Sequence, residues 1–137
     1  MKTLHPYLTF SGNCEEAMHF YKEALGAEIV EFRRFDEMDP SLPAEQQKLV
    51  MHANLVIEGI NFMLSDAMPD QLDKLSTGSN FTLTIDLDSE DEQSKLFEAL
   101  SQGGQITMPL MDTAWNARFG MLIDKYGFSW SFNCDKK

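Results

Sequence analysis

Apolar and polar residues alternate along this chain at two periods, and the periods follow one another in an order that is used twice. Tyr7 to Phe10 alternates as a short strand does. Asn13 then stands as an N-cap with Glu16 three residues later, the spacing of a capping box. Ala17, Phe20, Tyr21, Ala24 and Leu25 follow at helical spacing, and Gly26 marks the stop. Glu28 to Phe35 reads as a strand, and Asp36 to Gln47, with Pro40 and Pro43, as a loop with room for a short helical turn. Val50 to Ile57 and Ile60 to Ser65 are two strands that meet at Glu58-Gly59, a hairpin signal.

The order then recurs. Asn80 to Asp86 predicts a strand, and Ser89 with Glu92 a second capping box. Leu96, Phe97 and Leu100 share a helical face that Gly103-Gly104 ends. Gln105 to Met108 predicts a strand, and Met121 to Ile123 with Phe128 to Asn133 a closing hairpin. Its turn is Asp124-Lys125-Tyr126-Gly127, with the aspartate first and the glycine last that type I turns favour. The chain therefore predicts an α+β fold of two βαβββ repeats in a single domain over 1–137. Repeat one covers about 1–66, a connection 67–79, and repeat two about 80–137.

Superposing the repeats assigns faces to the strands. With His5–Phe10 set on Asn80–Ile85, Pro6, Leu8 and Phe10 match Phe81, Leu83 and Ile85 as an apolar face for the helices. His5, Tyr7 and Thr9 match Asn80, Thr82 and Thr84 on a more polar face. With Gly59–Ser65 set on Gly127–Asn133, Ile60, Phe62 and Leu64 match Phe128, Trp130 and Phe132, while Asn61, Met63 and Ser65 match Ser129, Ser131 and Asn133. The polar positions are expected to line one concave surface formed by a curved mixed sheet, a place for a small molecule.

Composition narrows the function. A net charge of -11 repels polyanions, which argues against general nucleic-acid binding. No apolar run approaches the ~20 residues of a membrane-spanning helix, and Met1 to Pro6 shows no signal-peptide core. Two cysteines, Cys14 and Cys134, are too few for a disulfide framework, so the cytoplasm is the expected compartment.

The candidate chemistry is sparse. His5 and His52 are imidazoles, candidates for acid–base work, and Asp66 follows the fourth strand, where a carboxylate could orient an imidazole or a substrate hydroxyl. Trp115 and Phe119, with Met108, Met111 and Met121, suit the wall of a permissive apolar pocket. Trp115 falls in a loop-like stretch, Asp112 to Arg118, and Arg118 is the nearby candidate for an anion. Cys14 takes the first helical position, where the helix dipole can favour a thiolate, but no histidine is its neighbour in sequence and a buried structural thiol is the expected reading. There is no Walker A loop, no G-x-G-x-x-G turn, no nucleophile elbow and no H-E-x-x-H.

These segments resemble a known family. F-Y-K-E-A-L-G at Phe20 to Gly26 is similar to the first motif of the vicinal oxygen chelate superfamily, and Asp124 to Phe128 to its last. Phe10-Ser11-Gly12-Asn13, Leu64 to Pro69 and Trp115 to Trp130 resemble its PhnB-like branch. The resemblance implies a glyoxalase/bleomycin-resistance-like fold and a homodimer. It also implies four cleft positions that usually hold a divalent metal, and these fall on His5, Met63, Asn80 and Ser131. Only the histidine is an ordinary ligand; thioether, amide and hydroxyl leave no carboxylate to balance the ion. No metal site and no cofactor is therefore expected, although sequences of this branch are sometimes described as demethylubiquinone methyltransferases. The cleft positions are His5, Tyr7, Met63, Ser65, Asn80, Thr82, Trp115, Phe119 and Ser131. Three functions stay open: metal-independent binding of a small molecule, an isomerase-, lyase- or dioxygenase-type enzyme using His5, His52 or an unexpected metal, and an interaction module with a vestigial cleft.

Overall fold

A computed structural model describes all residues, 1–137. The chain forms two compact units, Met1–Ser76 and Thr77–Lys137. Each holds one four-stranded mixed sheet.

The first unit contains β1 (Tyr7–Phe10), α1 (Cys14–Leu25), β2 (Glu28–Arg34), α2 (Ala44–Gln47), β3 (Val50–Ile57) and β4 (Ile60–Asp66). Its strand order is β1-β4-β3-β2, with β1 parallel to β4 and the other pairs antiparallel. Period-two alternation puts Leu8, Phe10, Ala53, Leu55, Phe62 and Leu64 on one face, and all six are buried. Ala17, Met18 and Tyr21 of α1 are buried with them. The Tyr21 ring lies 5.4 Å from Phe62 and 6.5 Å from Phe10. Burying a large apolar side chain stabilises by about 1.5–3 kcal/mol, so this layer is what holds the helix to the sheet. Glu58 (φ 48°) and Gly59 (φ 82°) join β3 to β4, the paired positive φ of a type I′ turn.

The second unit repeats the order with β5 (Thr82–Leu87), α3 (Glu90–Ser101), β6 (Gln105–Asp112), β7 (Ala117–Ile123) and β8 (Ser129–Asp135). Its sheet runs β5-β8-β7-β6, again with one parallel pair, β5 with β8. Phe97 and Leu100 of α3 are buried, as are Leu122, Trp130 and Phe132 of the sheet, with Phe97 and Phe132 edge to face at 5.2 Å. Gly120 permits this approach: a Cβ there would meet Leu110 Cδ2 at 2.9 Å and Phe97 Cε2 at 3.0 Å. No helix is long and apolar enough to cross a membrane.

Several boundaries differ from the sequence reading. The helix of repeat two does use its Ser89 cap, whose hydroxyl accepts from Glu92 N at 3.2 Å. In repeat one the Asn13 side chain makes no cap bond, and another residue does that work. β5 begins at Thr82, so Asn80 precedes the strand, as His5 precedes β1. β6 runs on to Asp112 and β7 starts at Ala117, which shrinks the expected loop to a tight turn. Thr113 N donates to Ala117 O at 2.9 Å, and Asn116 adopts φ 60°. Residues 69–74, inside the expected connection, form a 3-10 helix.

Register also corrects the superposition of the repeats. In the parallel ladders Tyr7 pairs with Met63, whereas Ser131 pairs with Thr84 and Thr82 with Ser129. Matching Tyr7 to Thr82 therefore matches Met63 to Ser129, two residues short of Ser131. A two-residue slip preserves side-chain parity, so the faces hold while positions shift along the strand.

Candidate functional site

In the first unit the sheet face away from α1 carries Tyr7 and Thr9 (β1), Met63 and Ser65 (β4), His52 and Asn54 (β3), and Glu31 and Arg33 (β2). Ladder pairs tie them together: Tyr7 with Met63, Thr9 with Ser65, Asn54 with Met63, Glu31 with Asn54, and Arg33 with His52. The Tyr7 side chain crosses over β4. Its hydroxyl lies 3.3 Å from His52 Nδ1, with ring centroids 5.8 Å apart. On the other edge of the imidazole, Nε2 lies 3.3 Å from Glu31 Oε1. A carboxylate against Nε2 requires a hydrogen there, so in the neutral ring Nδ1 is the acceptor for the phenol. Tyrosine, histidine and glutamate thus lie in series across the sheet.

Amides and a second ion pair border this row. Asn54 Nδ2 donates to Asn61 Oδ1 at 2.9 Å, while Asn54 Oδ1 is buried without a partner. Arg33 pairs with Glu37 at 3.3 Å. The sequence placed Asn61 on the polar face, but Glu31 and Asn54 were not among the residues picked out from it. The signal that marks them is period-two polarity within strands that are otherwise apolar, as in His52-Ala53-Asn54-Leu55.

Asp66 is not available to orient an imidazole. It is 3% exposed, and main-chain N–H groups occupy both its oxygens. Oδ1 accepts from Gly12 N (2.9 Å) and Cys14 N (3.0 Å), and Oδ2 from Val50 N (2.9 Å). This carboxylate, rather than Asn13, caps α1. Cys14 is the buried thiol the sequence favours. Burial, with the Asp66 and Glu15 carboxylates nearby, pushes its thiol far above the ordinary range, which outweighs the helix dipole. Both cysteines are free and buried. Ellman's reagent is therefore expected to label neither in the native protein and both in urea.

In the second unit the face away from α3 divides into two stripes. Thr82 and Thr84 (β5) pair with Ser129 and Ser131 (β8), and Thr84 Oγ1 lies 2.7 Å from Ser131 Oγ. Beside them Met121 pairs with Ser131 and Phe119 with Asn133; Met108 and Met111 of β6 lie opposite Met121 and Phe119. Trp115 stands over this apolar stripe, 60% exposed, its ring 5.5 Å from Phe119 and its Nε1 donating to Asn133 Oδ1 at 3.3 Å. Asn133 Nδ2 is held in turn by Asp86 (3.0 Å) and Asp135 (3.2 Å). Arg118, the sequence's anion candidate, is spent within the unit on Ser94 Oγ (2.8 Å) and on Glu90.

The structure thus brings Tyr7, His52, Met63 and Ser65 onto one face, and Thr82, Phe119, Trp115 and Ser131 onto another. His5 is half-buried ahead of β1, and Asn80 is exposed ahead of β5. No group of three or more His, Cys, Asp or Glu side chains is arranged to hold a metal ion. Of the four positions the resemblance names, only His5 is an ordinary ligand, and the Ser131 hydroxyl shares a hydrogen bond with Thr84.

A family model described as 3-demethylubiquinone-9 3-methyltransferase matches residues 2–132. The chain belongs to this PhnB-like family. Protein YjdN of Escherichia coli (strain K12) is 36% identical over 144 residues, which cover 98% of this chain and 96% of YjdN. Among solved structures, protein PA1353 from Pseudomonas aeruginosa is 35% identical with a TM-score of 0.86 over 100% of both chains. The PhnB protein from Bacillus cereus is 33% identical with a TM-score of 0.75, over 97% of this chain and 99% of that one. At 12% and 17% identity, the fosfomycin resistance protein FosX from Listeria monocytogenes (TM-score 0.67) and a glyoxalase-related enzyme from Fulvimarina pelagi (0.69) share the fold alone. The PhnB-like chain thus has the α+β vicinal oxygen chelate fold that its motifs resemble.

Proposed function

We propose that this PhnB-like chain binds a small organic molecule of mixed polarity on the sheet face that carries Trp115, without a metal of the superfamily type. The observation that carries the reading is the exposed Trp115 ring, which Asn133 and Phe119 hold over a methionine stripe beside a row of hydroxyls. Exposed tryptophan is costly to leave in water, and methionine adapts its shape to varied apolar guests. The serine and threonine hydroxyls alongside supply orientation. Methyl transfer, named in the family description, draws no support from the architecture. The β1–α1 turn, Ser11-Gly12-Asn13, has a single glycine, and each sheet is mixed rather than doubly wound.

The test uses the two tryptophans. Trp130 is buried at 3% exposure, so ligand-induced changes in fluorescence at the exposed ring report on Trp115. A metabolite screen by thermal shift is expected to give a stabilising compound that also quenches this emission. Trp115→Ala is expected to weaken its binding about tenfold or more, roughly 1.4 kcal/mol. Hits whose affinity ignores Trp115→Ala would sink the reading. Stoichiometric Fe, Mn, Ni or Zn in the purified protein, lost to a chelator together with binding, would overturn its metal-free part.

A further inference from the structure

We propose that Glu31, His52 and Tyr7 form an acid–base relay that makes the Tyr7 phenol a nucleophile toward neutral carboxylic esters. The three side chains come from β2, β3 and β1, and each touches the next: carboxylate to Nε2 at 3.3 Å, Nδ1 to phenol at 3.3 Å. A nucleophile hydrogen-bonded to a base, and the base to a third group that fixes its tautomer, is the arrangement that activates hydroxyls for acyl transfer. Tyr7 is 49% exposed, so its oxygen is open to an incoming molecule. Its ladder partner Met63 is flanked on the same face by Asn61 and Ser65, an amide and a hydroxyl that can donate to a developing oxyanion.

Charge selects the class of ester. The cation opposite His52, Arg33, is already paired with Glu37, and the whole chain carries -11. Phosphate and carboxylate substrates meet repulsion and no free cation on this face, whereas a neutral ester meets neither obstacle.

The step balances. The Tyr7 oxygen attacks the carbonyl carbon and passes its proton to Nδ1, while Glu31 holds the imidazolium through Nε2. Collapse breaks the ester C–O bond, and the departing alkoxide takes the proton from Nδ1. Water then attacks the acyl-tyrosine and gives a proton to Nδ1, which returns it to the phenolate as the carboxylic acid leaves. The sum is ester plus water to acid plus alcohol.

The experiment is p-nitrophenyl acetate hydrolysis by the full chain, followed by acid quench and peptide mass analysis. An initial burst of p-nitrophenolate is expected, with one acetyl group on the peptide that contains Tyr7. Tyr7→Phe abolishes both. His52→Gln slows acylation by about 100-fold or more. Glu31 acts as a positioning residue. Glu31→Gln keeps an acceptor for Nε2–H but removes the charge, and slows acylation about tenfold. Glu31→Leu slows it further and releases the tautomer preference in the 15N spectrum of His52. All three sites are on the sheet surface, so circular dichroism and Tm serve as fold controls for the four variants. Acetylation confined to lysines or the N-terminus, or equal rates in wild type and Tyr7→Phe, would overturn the proposal. The reading of Trp115 stands or falls separately, because its fluorescence test does not involve this face.

Discussion

Asp66→Ala is expected to destabilise the protein by about 3–5 kcal/mol, read as a fall in the urea midpoint with little change in m-value. The reason is the number of donors one side chain serves. Gly12 N, Cys14 N and Val50 N all point at its two oxygens, at 2.9, 3.0 and 2.9 Å. An orphaned buried N–H costs about 1–3 kcal/mol, and alanine orphans three at once. The bonds also join segments distant in sequence: the N-terminus of α1, the start of β3 and the end of β4. Asp66→Asn is expected to cost about 2 kcal/mol, since its amide NH₂ faces one N–H donor.

The pH dependence has a definite sign. Burial pushes the Asp66 carboxyl above its ordinary value, against the pull of the three N–H groups. Between the unfolded value of 3.8 and the raised native one, the native state holds the proton that the unfolded chain has lost. Stability from this group is therefore fully present at the acid end and falls as the pH rises through that window. The stability difference between wild type and Asp66→Asn, measured along pH, is expected to shrink in that direction. A difference that grows as the pH rises would show that the three donors outweigh burial.

Much of the fold was legible because alternation and capping are local. Tyr7–Phe10 and Val50–Ile57 emerge with the same bounds from sequence and structure, and Ser89 caps α3 as its spacing predicts. What was not legible is non-local. Nothing near Asn13 says that Asp66, 52 residues beyond Cys14, displaces it as the cap. The two-residue offset between the ladders of the repeats depends on pairing partners, which periodicity alone does not fix.

The candidate site divides along the same line. His52 and Tyr7 stood out as residue types, yet their junction with Glu31 needed three strands in register. β6 continues to Asp112 although it is exposed along most of its length, because its bonds to β7 are what sustain it. Few buried positions mark it in sequence, so Met108 and Met111 could be named as pocket residues without the strand that carries them.

Asp124→Ala is the other substitution expected to cost about 3–4 kcal/mol, by the same physics in a different place. Asp124 is 2% exposed at the β7–β8 turn. Its Oδ1 accepts from Tyr126 N (2.9 Å) and Phe128 N (3.1 Å), and its Oδ2 from the Trp130 indole at 2.8 Å. The turn alone would survive its loss, because Gly127 N still donates to Asp124 O at 3.0 Å and Asp124 N to Phe128 O at 2.8 Å. What the carboxylate adds is a tether from the turn to a tryptophan in the α3 core. Near-ultraviolet circular dichroism and Trp130 emission are expected to change in Asp124→Ala alongside stability. The double variant Asp124→Ala/Trp130→Phe separates the contributions. Phenylalanine keeps most of the ring but removes the N–H that the first substitution orphans. The pair is therefore expected to cost less than the sum of the singles by about 1 kcal/mol or more. Strict additivity would mean that the indole bond contributes nothing and that Asp124 acts on the turn alone.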